Sequence, residues 1–144
     1  LDKQDLTGQT VIDYGCGSGI LGIAALLLGA EKVIAVDNDP QALLATRDNA
    51  ERNNIAAERI STYLPEDLPS DSIGQTMLAN ILAAPLIELA PKLTVLTASN
   101  GLICLSGLLE HQIEAVSQPY LANFSFDDPA IETEWAQLAA RKTA

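Results

Sequence analysis

Thr10-Val11-Ile12-Asp13-Tyr14-Gly15-Cys16-Gly17-Ser18-Gly19 is the stretch from which the fold is read. Its first half is a β-rich run and its second half a glycine cluster, after which Ile20 to Leu28 carries apolar residues too densely for an exposed helix. The pattern predicts strand, tight turn and buried helix. Gly29 stands where a left-handed helix cap is favoured, and Lys32-Val33-Ile34-Ala35-Val36-Asp37 reads as a continuous buried strand. Asp39-Pro40 then offers an N-cap and a first-turn proline for a helix to about Asn53, with Ala42, Leu43, Ala45 and Ala50 for its inner face.

Further along, the alternation predicts strands at Arg59 to Leu64 and Thr76 to Ile81, with a polar loop from Pro65 to Gly74 between them. Leu82 to Leu96 reads as a helix interrupted near Pro85 and Pro91, and Asn100-Gly101 as a turn into the strand Leu102 to Ser106. Glu110 to Leu121 reads as one amphipathic helix. Phe124-Ser125-Phe126 and Glu134 to Lys142 read as strands closing the sheet, and no repeat, linker or low-complexity segment is present. Alternating strands and helices of these lengths predict an α/β fold with a mostly parallel sheet, helices on both faces and an antiparallel strand near the C-terminus. Ligands of such sheets sit beyond the C-terminal strand ends, where the glycine cluster, Asp37 and Asn80 all fall.

The chain has 144 residues, 48% of them hydrophobic, enough for one sizeable core. Its net charge of −11 disfavours direct nucleic-acid binding. Cys16 and Cys104 lie far apart with no CxxC or Cys/His pairing, which predicts neither a metal site nor a disulfide framework and suits a reducing cytoplasm. The longest apolar stretch, Ile20 to Ala30, is too short to suggest a membrane span, and no signal-peptide pattern opens the sequence. Leu1 begins the sequence within ten residues of a central strand, so residues 1 to 144 are expected to be one domain truncated at its N-terminus.

The spacing Asp13-x-Gly15-x-Gly17-x-Gly19 lets a ligand approach the backbone at a helix N-terminus. A dinucleotide fingerprint counted from Gly15 would place its third glycine at position 20, which is Ile20, and this argues against NAD. Asp13 either holds a cationic amino group, through the loop or a water, or merely braces the turn. Asp37 follows the second strand, where a carboxylate can accept both hydroxyls of a ribose. Asp39 already supplies the helix cap, which leaves Asp37 without a structural task in the sequence.

Asp13 to Gly19 followed by Val36-Asp37 resembles the cofactor motif of class I S-adenosylmethionine-dependent methyltransferases. A longer set is similar to the catalytic domain of the bacterial ribosomal protein L11 methyltransferase family. It comprises Ile12 to Leu21, Asp37 to Asn53, Ala79-Asn80-Ile81-Leu82-Ala83, Leu105-Ser106-Gly107-Leu108-Leu109 and Glu134-Trp135. The resemblance implies methyl transfer from S-adenosylmethionine to Lys side chains and the N-terminal amine of ribosomal protein L11, a basic partner. It also implies an upstream recognition domain and a cofactor-covering loop outside these residues. Without them the chain is expected to bind cofactor weakly, to self-associate and to be inactive by itself.

Asp13, Gly15, Gly17, Gly19, Asp37 and Asn80 are then the expected cofactor contacts, with Asn80, Ile81 and Leu82 at the substrate and Asn80 catalytic. An amine attacks only as its neutral form, and an amide oxygen with backbone carbonyls can orient its lone pair. Many amino-group methyltransferases carry Asn-Pro-Pro-Tyr at this place. The absence of its aromatic platform here disfavours a nucleobase acceptor. A related glutamine-amide or nucleobase methyltransferase, and a cofactor-binding module without catalysis, are the rival readings. Lone His111 reads as solvated, Trp135 as entrance lining or sheet packing, and Glu66, Asp67 and Asp71 as a solvated acidic loop.

Overall fold

The computed structural model describes residues 5–143, in two compact units whose boundary in sequence follows Gly74. The first unit runs β1 (Thr10–Tyr14), α1 (Ile20–Leu27), β2 (Lys32–Val36), α2 (Pro40–Arg52) and β3 (Ile60–Tyr63). Its strands lie in the order β3-β2-β1, all parallel, with Asp13 opposite Ala35 and Val36 opposite Tyr63. Parallel pairing brings the C-terminal ends of these strands out along one edge, which is why the glycine loop after β1 and Asp37 after β2 become neighbours. Successive residues of a strand face opposite sides, and Val11 and Ile12 are both fully buried, so β1 is covered on both faces.

Helix α2 starts as its sequence predicts, with Asp39 as N-cap accepting from Gln41 N–H at 2.9 Å and Pro40 in the first turn. Its inner face is turned from the expected one. Thr46 and Ala50 are the buried residues, while Ala42, Leu43 and Ala45 are only half-buried. A search for apolar residues passes over Thr46 because its hydroxyl is satisfied inside the protein.

The second unit holds β4 (Gly74–Asn80), α3 (Ala83–Glu88), α4 (Ala90–Leu96), β5 (Thr97–Leu109), α5 (Ile113–Ser117), β6 (Phe124–Phe126), β7 (Ala130–Glu132) and β8 (Trp135–Lys142). Its strand order is β4-β5-β8-β6, with β7 also paired to β8, and β8 runs antiparallel to β5, β6 and β7. Pro85 lies in the first turn of α3 and does not interrupt it. Pro91 is the second residue of α4 and, lacking an N–H, separates the two helices at Leu89.

Three expectations change here. Strand β5 is longer than Leu102 to Ser106, and Asn100 (φ 63°) takes its left-handed conformation within it. The stretch from Glu110 is a short α5 flanked by 3-10 turns, since Pro119 cannot continue the helical ladder. Strand β7 was not expected at all. The core of this unit includes Tyr120, fully buried, whose hydroxyl donates to the Leu86 carbonyl at 2.6 Å while Phe124 and Phe126 pack edge-on against its ring. No helix among the described residues is long and apolar enough to cross a membrane.

Candidate functional site

Gly15 and Cys16 both donate their N–H groups to the Val36 carbonyl, at 2.7 and 3.0 Å, so the loop after β1 folds over the end of β2. Gly17 N–H donates to Asp37 Oδ2 at 2.9 Å, and Asp39 N–H to Asp37 Oδ1 at 2.9 Å. Asp37 therefore has the structural task that the sequence did not reveal. A carboxylate offers about four lone-pair sites, and two remain on this half-buried group.

Two glycines of the loop are needed for opposite reasons. Gly17 has φ +55°, and a Cβ added there would meet nothing within 4 Å, so this side of the loop faces open space next to Asp37. Gly19 has φ +85°, and its added Cβ would stand 2.7 Å from Thr46 Cγ2, within packed protein. The open face fits a ligand laid against backbone, with a carboxylate at its side for vicinal hydroxyls.

Asp13 is 1% exposed, and its Oδ2 accepts from Gly22 N–H at 3.2 Å. This is the bracing contact, from near the end of β1 to the first turn of α1. Burial raises the carboxyl from 3.8 to about 6, against the opposing effect of the Gly22 bond and with help from the nearby charge of Asp37. Cys16 is buried, and desolvation raises its thiol to about 11, so it stays protonated.

In the second unit Asn80 ends β4 with its side chain exposed. Ile81 N–H donates to the Ser106 carbonyl at 3.1 Å. A Cβ at Gly107 would lie 2.6 Å from Ile81 O and 3.0 Å from Asn80 Oδ1, so the absence of a side chain there lets the Asn80-Ile81 turn rest on β5. Asn80, Ile81 and Leu82 line a cavity of about 660 Å³ together with Gly107, Glu132 and Trp135. Trp135, the first residue of β8, is 54% exposed, so its ring is not buried within the sheet packing. Glu132 was missed because β7 is three residues long and wholly exposed, with no alternation to mark it. His111 is exposed on a 3-10 turn, and Glu66 and Asp67 sit on another directly after β3. No group of three or more potential metal ligands occurs among the described residues.

The family described as ribosomal protein L11 methyltransferase matches residues 1–143. Ribosomal protein L11 methyltransferase from Cellvibrio japonicus is 55% identical over 142 residues, and that from Escherichia coli K12 is 53% identical. In both comparisons the match covers 99% of this chain and 48% of the relative, so the chain spans about half the length of these relatives. The crystal structure of a ribosomal protein L11 methylase from Lactobacillus delbrueckii superposes with a TM-score of 0.89 at 31% identity, covering 99% of this chain and 74% of that one. A methyltransferase from Pyrococcus furiosus shares the fold, with a TM-score of 0.80 at 15% identity over 100% of this chain and 80% of its own. The chain thus has the α/β fold expected of it, mostly parallel with an antiparallel C-terminal part, and it belongs to the ribosomal protein L11 methyltransferase family.

Proposed function

We propose that the chain is the cofactor-binding and methyl-transferring half of an S-adenosylmethionine-dependent protein N-methyltransferase. Its acceptors are amino groups of ribosomal protein L11, on Lys side chains and at the N-terminus. The observation that carries this reading is the open face of Gly17 beside Asp37, on a chain of this family. Bound S-adenosylmethionine supplies an electrophilic methyl group on a sulfonium.

The protein's part is positioning. The free lone pairs of Asp37 accept the ribose hydroxyls, Gly17 leaves its open face to the ligand, and Gly15 and Gly19 shape the turn, Gly19 by making room for Thr46. Asp13 ties β1 to α1 and places negative charge beneath the loop, favourable to a cationic ligand. At Asn80 the amide oxygen accepts a hydrogen bond from the neutral acceptor amine, and the backbone of Ile81 and Leu82 completes the setting, so the lone pair is aimed. Glu132 and the exposed indole of Trp135 line the same cavity, a combination that attracts an ammonium group before it loses its proton.

Calorimetric titration of the chain with S-adenosylhomocysteine and with NAD tests the cofactor assignment. Saturable binding of the first and none of the second is expected; the reverse would remove it. For the acceptor role, Asn80→Ala should slow methyl transfer about tenfold or more, about 1.4 kcal/mol of barrier, while S-adenosylhomocysteine affinity stays near that of the parent sequence. Undiminished turnover would make Asn80 a turn residue only.

A further inference from the structure

Helix α2 reaches the glycine loop from behind with two side chains that the cofactor reading does not use. Thr46 is fully buried, and its Oγ1 donates to the Gly17 carbonyl at 3.0 Å. Asn49, three residues on and so on the same helical face, donates from Nδ2 to the Ser18 carbonyl at 2.9 Å. The Thr46 hydroxyl hydrogen is committed to Gly17, which leaves the Cys16 thiol, 3.5 Å from Thr46 Oγ1, as the donor in that contact. Gly17 is thereby held at both ends of its residue: its N–H by Asp37 and its carbonyl by Thr46.

The loop needs such a clamp. Gly15, Gly17 and Gly19 all have positive φ, at 78°, 55° and 85°. Glycines explore many other conformations at little cost, and the backbone bond within the loop, from Gly19 N–H to the Cys16 carbonyl at 2.9 Å, holds neither the Gly17 N–H nor its carbonyl. Only when the Gly17 N–H and carbonyl are both tied does its open side stay turned outward beside the Asp37 carboxylate. Thr46 itself, with no exposed surface, cannot touch a ligand.

We infer that Thr46 and Asn49 are positioning residues that set cofactor affinity from behind the loop, by keeping the Gly17–Gly19 backbone in its ligand-ready conformation. The inference rests on the proposed cofactor reading. When only a fraction of molecules is binding-competent, the apparent dissociation constant rises by the inverse of that fraction. Loss of either hydrogen bond should therefore appear in affinity without any lost ligand contact.

The test is calorimetric titration of S-adenosylhomocysteine into the parent chain and into Thr46→Val, Thr46→Ser and Asn49→Ala, with amide hydrogen exchange on each ligand-free protein. Thr46→Val keeps the shape and removes the hydroxyl, and should weaken binding on the order of tenfold. Thr46→Ser keeps the hydroxyl and should stay within about threefold of the parent, a rescue that simple packing does not produce. Asn49→Ala should weaken binding severalfold. Exchange at Gly17, Ser18 and Gly19 should quicken in Thr46→Val and Asn49→Ala, with β1 and β2 amides unchanged.

Parent-like affinity in both Thr46→Val and Asn49→Ala would overturn the inference. So would weakening by Thr46→Ser as large as that by Thr46→Val, since retaining the hydroxyl would then rescue nothing. Should Thr46→Val fail to fold, Asn49→Ala carries the same test from a half-buried position. If the parent itself does not bind S-adenosylhomocysteine, the cofactor reading fails, and the exchange data still decide whether α2 clamps the loop.

Discussion

Replacing Asp37 by Ala removes an acceptor from two backbone N–H groups as well as from the proposed ribose. Asp37→Ala should weaken S-adenosylhomocysteine binding by roughly 1.5 to 3 kcal/mol, the scale of hydrogen bonds to a charged group, and unchanged affinity in a titration would dismiss the ribose role. Asp13 makes a different prediction, in pH. Its folded carboxyl, raised from 3.8 to about 6, binds a proton more tightly than the unfolded one. Its stabilising contribution is therefore complete below about pH 4 and is lost as pH rises through 6, on the order of 3 kcal/mol. Urea unfolding at pH 4.5 and 7.5 should show Asp13→Asn losing less stability than the parent over that interval. An identical pH dependence in the two proteins would mean that the buried carboxyl is not perturbed.

The two-way demand on the loop glycines separates binding from folding at the level of the strand-loop-helix element. Gly17→Ala puts a methyl group into open space at a left-handed position, costing about 1 to 2 kcal/mol of stability, but it blocks the ligand face. Gly19→Ala drives a methyl group into Thr46 and should cost about 1 to 3 kcal/mol more than the backbone strain alone. Urea unfolding with parallel S-adenosylhomocysteine titration should show Gly17→Ala failing mainly in binding and Gly19→Ala mainly in stability. Loss of stability alone in both would remove the ligand from the Gly17 face.

The strands β1 and β2 were legible because strands buried on both faces are largely apolar runs, and the turn between β1 and α1 because few residues other than glycine accept its geometry. The α2 inner face was misread because Thr46 is a buried polar residue whose partner, the Gly17 carbonyl, is a tertiary fact. Asp37 likewise gained a structural partner, Gly17 N–H, twenty residues away in sequence. Strand β7 and with it Glu132 were invisible, since a three-residue exposed strand is defined by its pairing with β8 and by nothing in its own composition.

For the molecule as a whole, a net charge of −11 repels a phosphate backbone and suits the cationic protein acceptor proposed above. The curated relatives are about twice as long as this chain, and the proposed function gives their unmatched half the delivery of the protein substrate. Tethering raises the effective concentration of a flexible acceptor at the site. The most direct measurement is transfer of labelled methyl from S-adenosylmethionine in a mixture of ribosomal proteins and ribosomal RNA. It compares the chain alone with the chain joined to the unmatched half of the Escherichia coli relative, at equal concentration. The joined protein should label ribosomal protein L11 on amino groups and leave RNA unlabelled, and the chain alone should label far less. Label in RNA, or no label in any protein from either form, would contradict the assignment of this chain as an L11 N-methyltransferase.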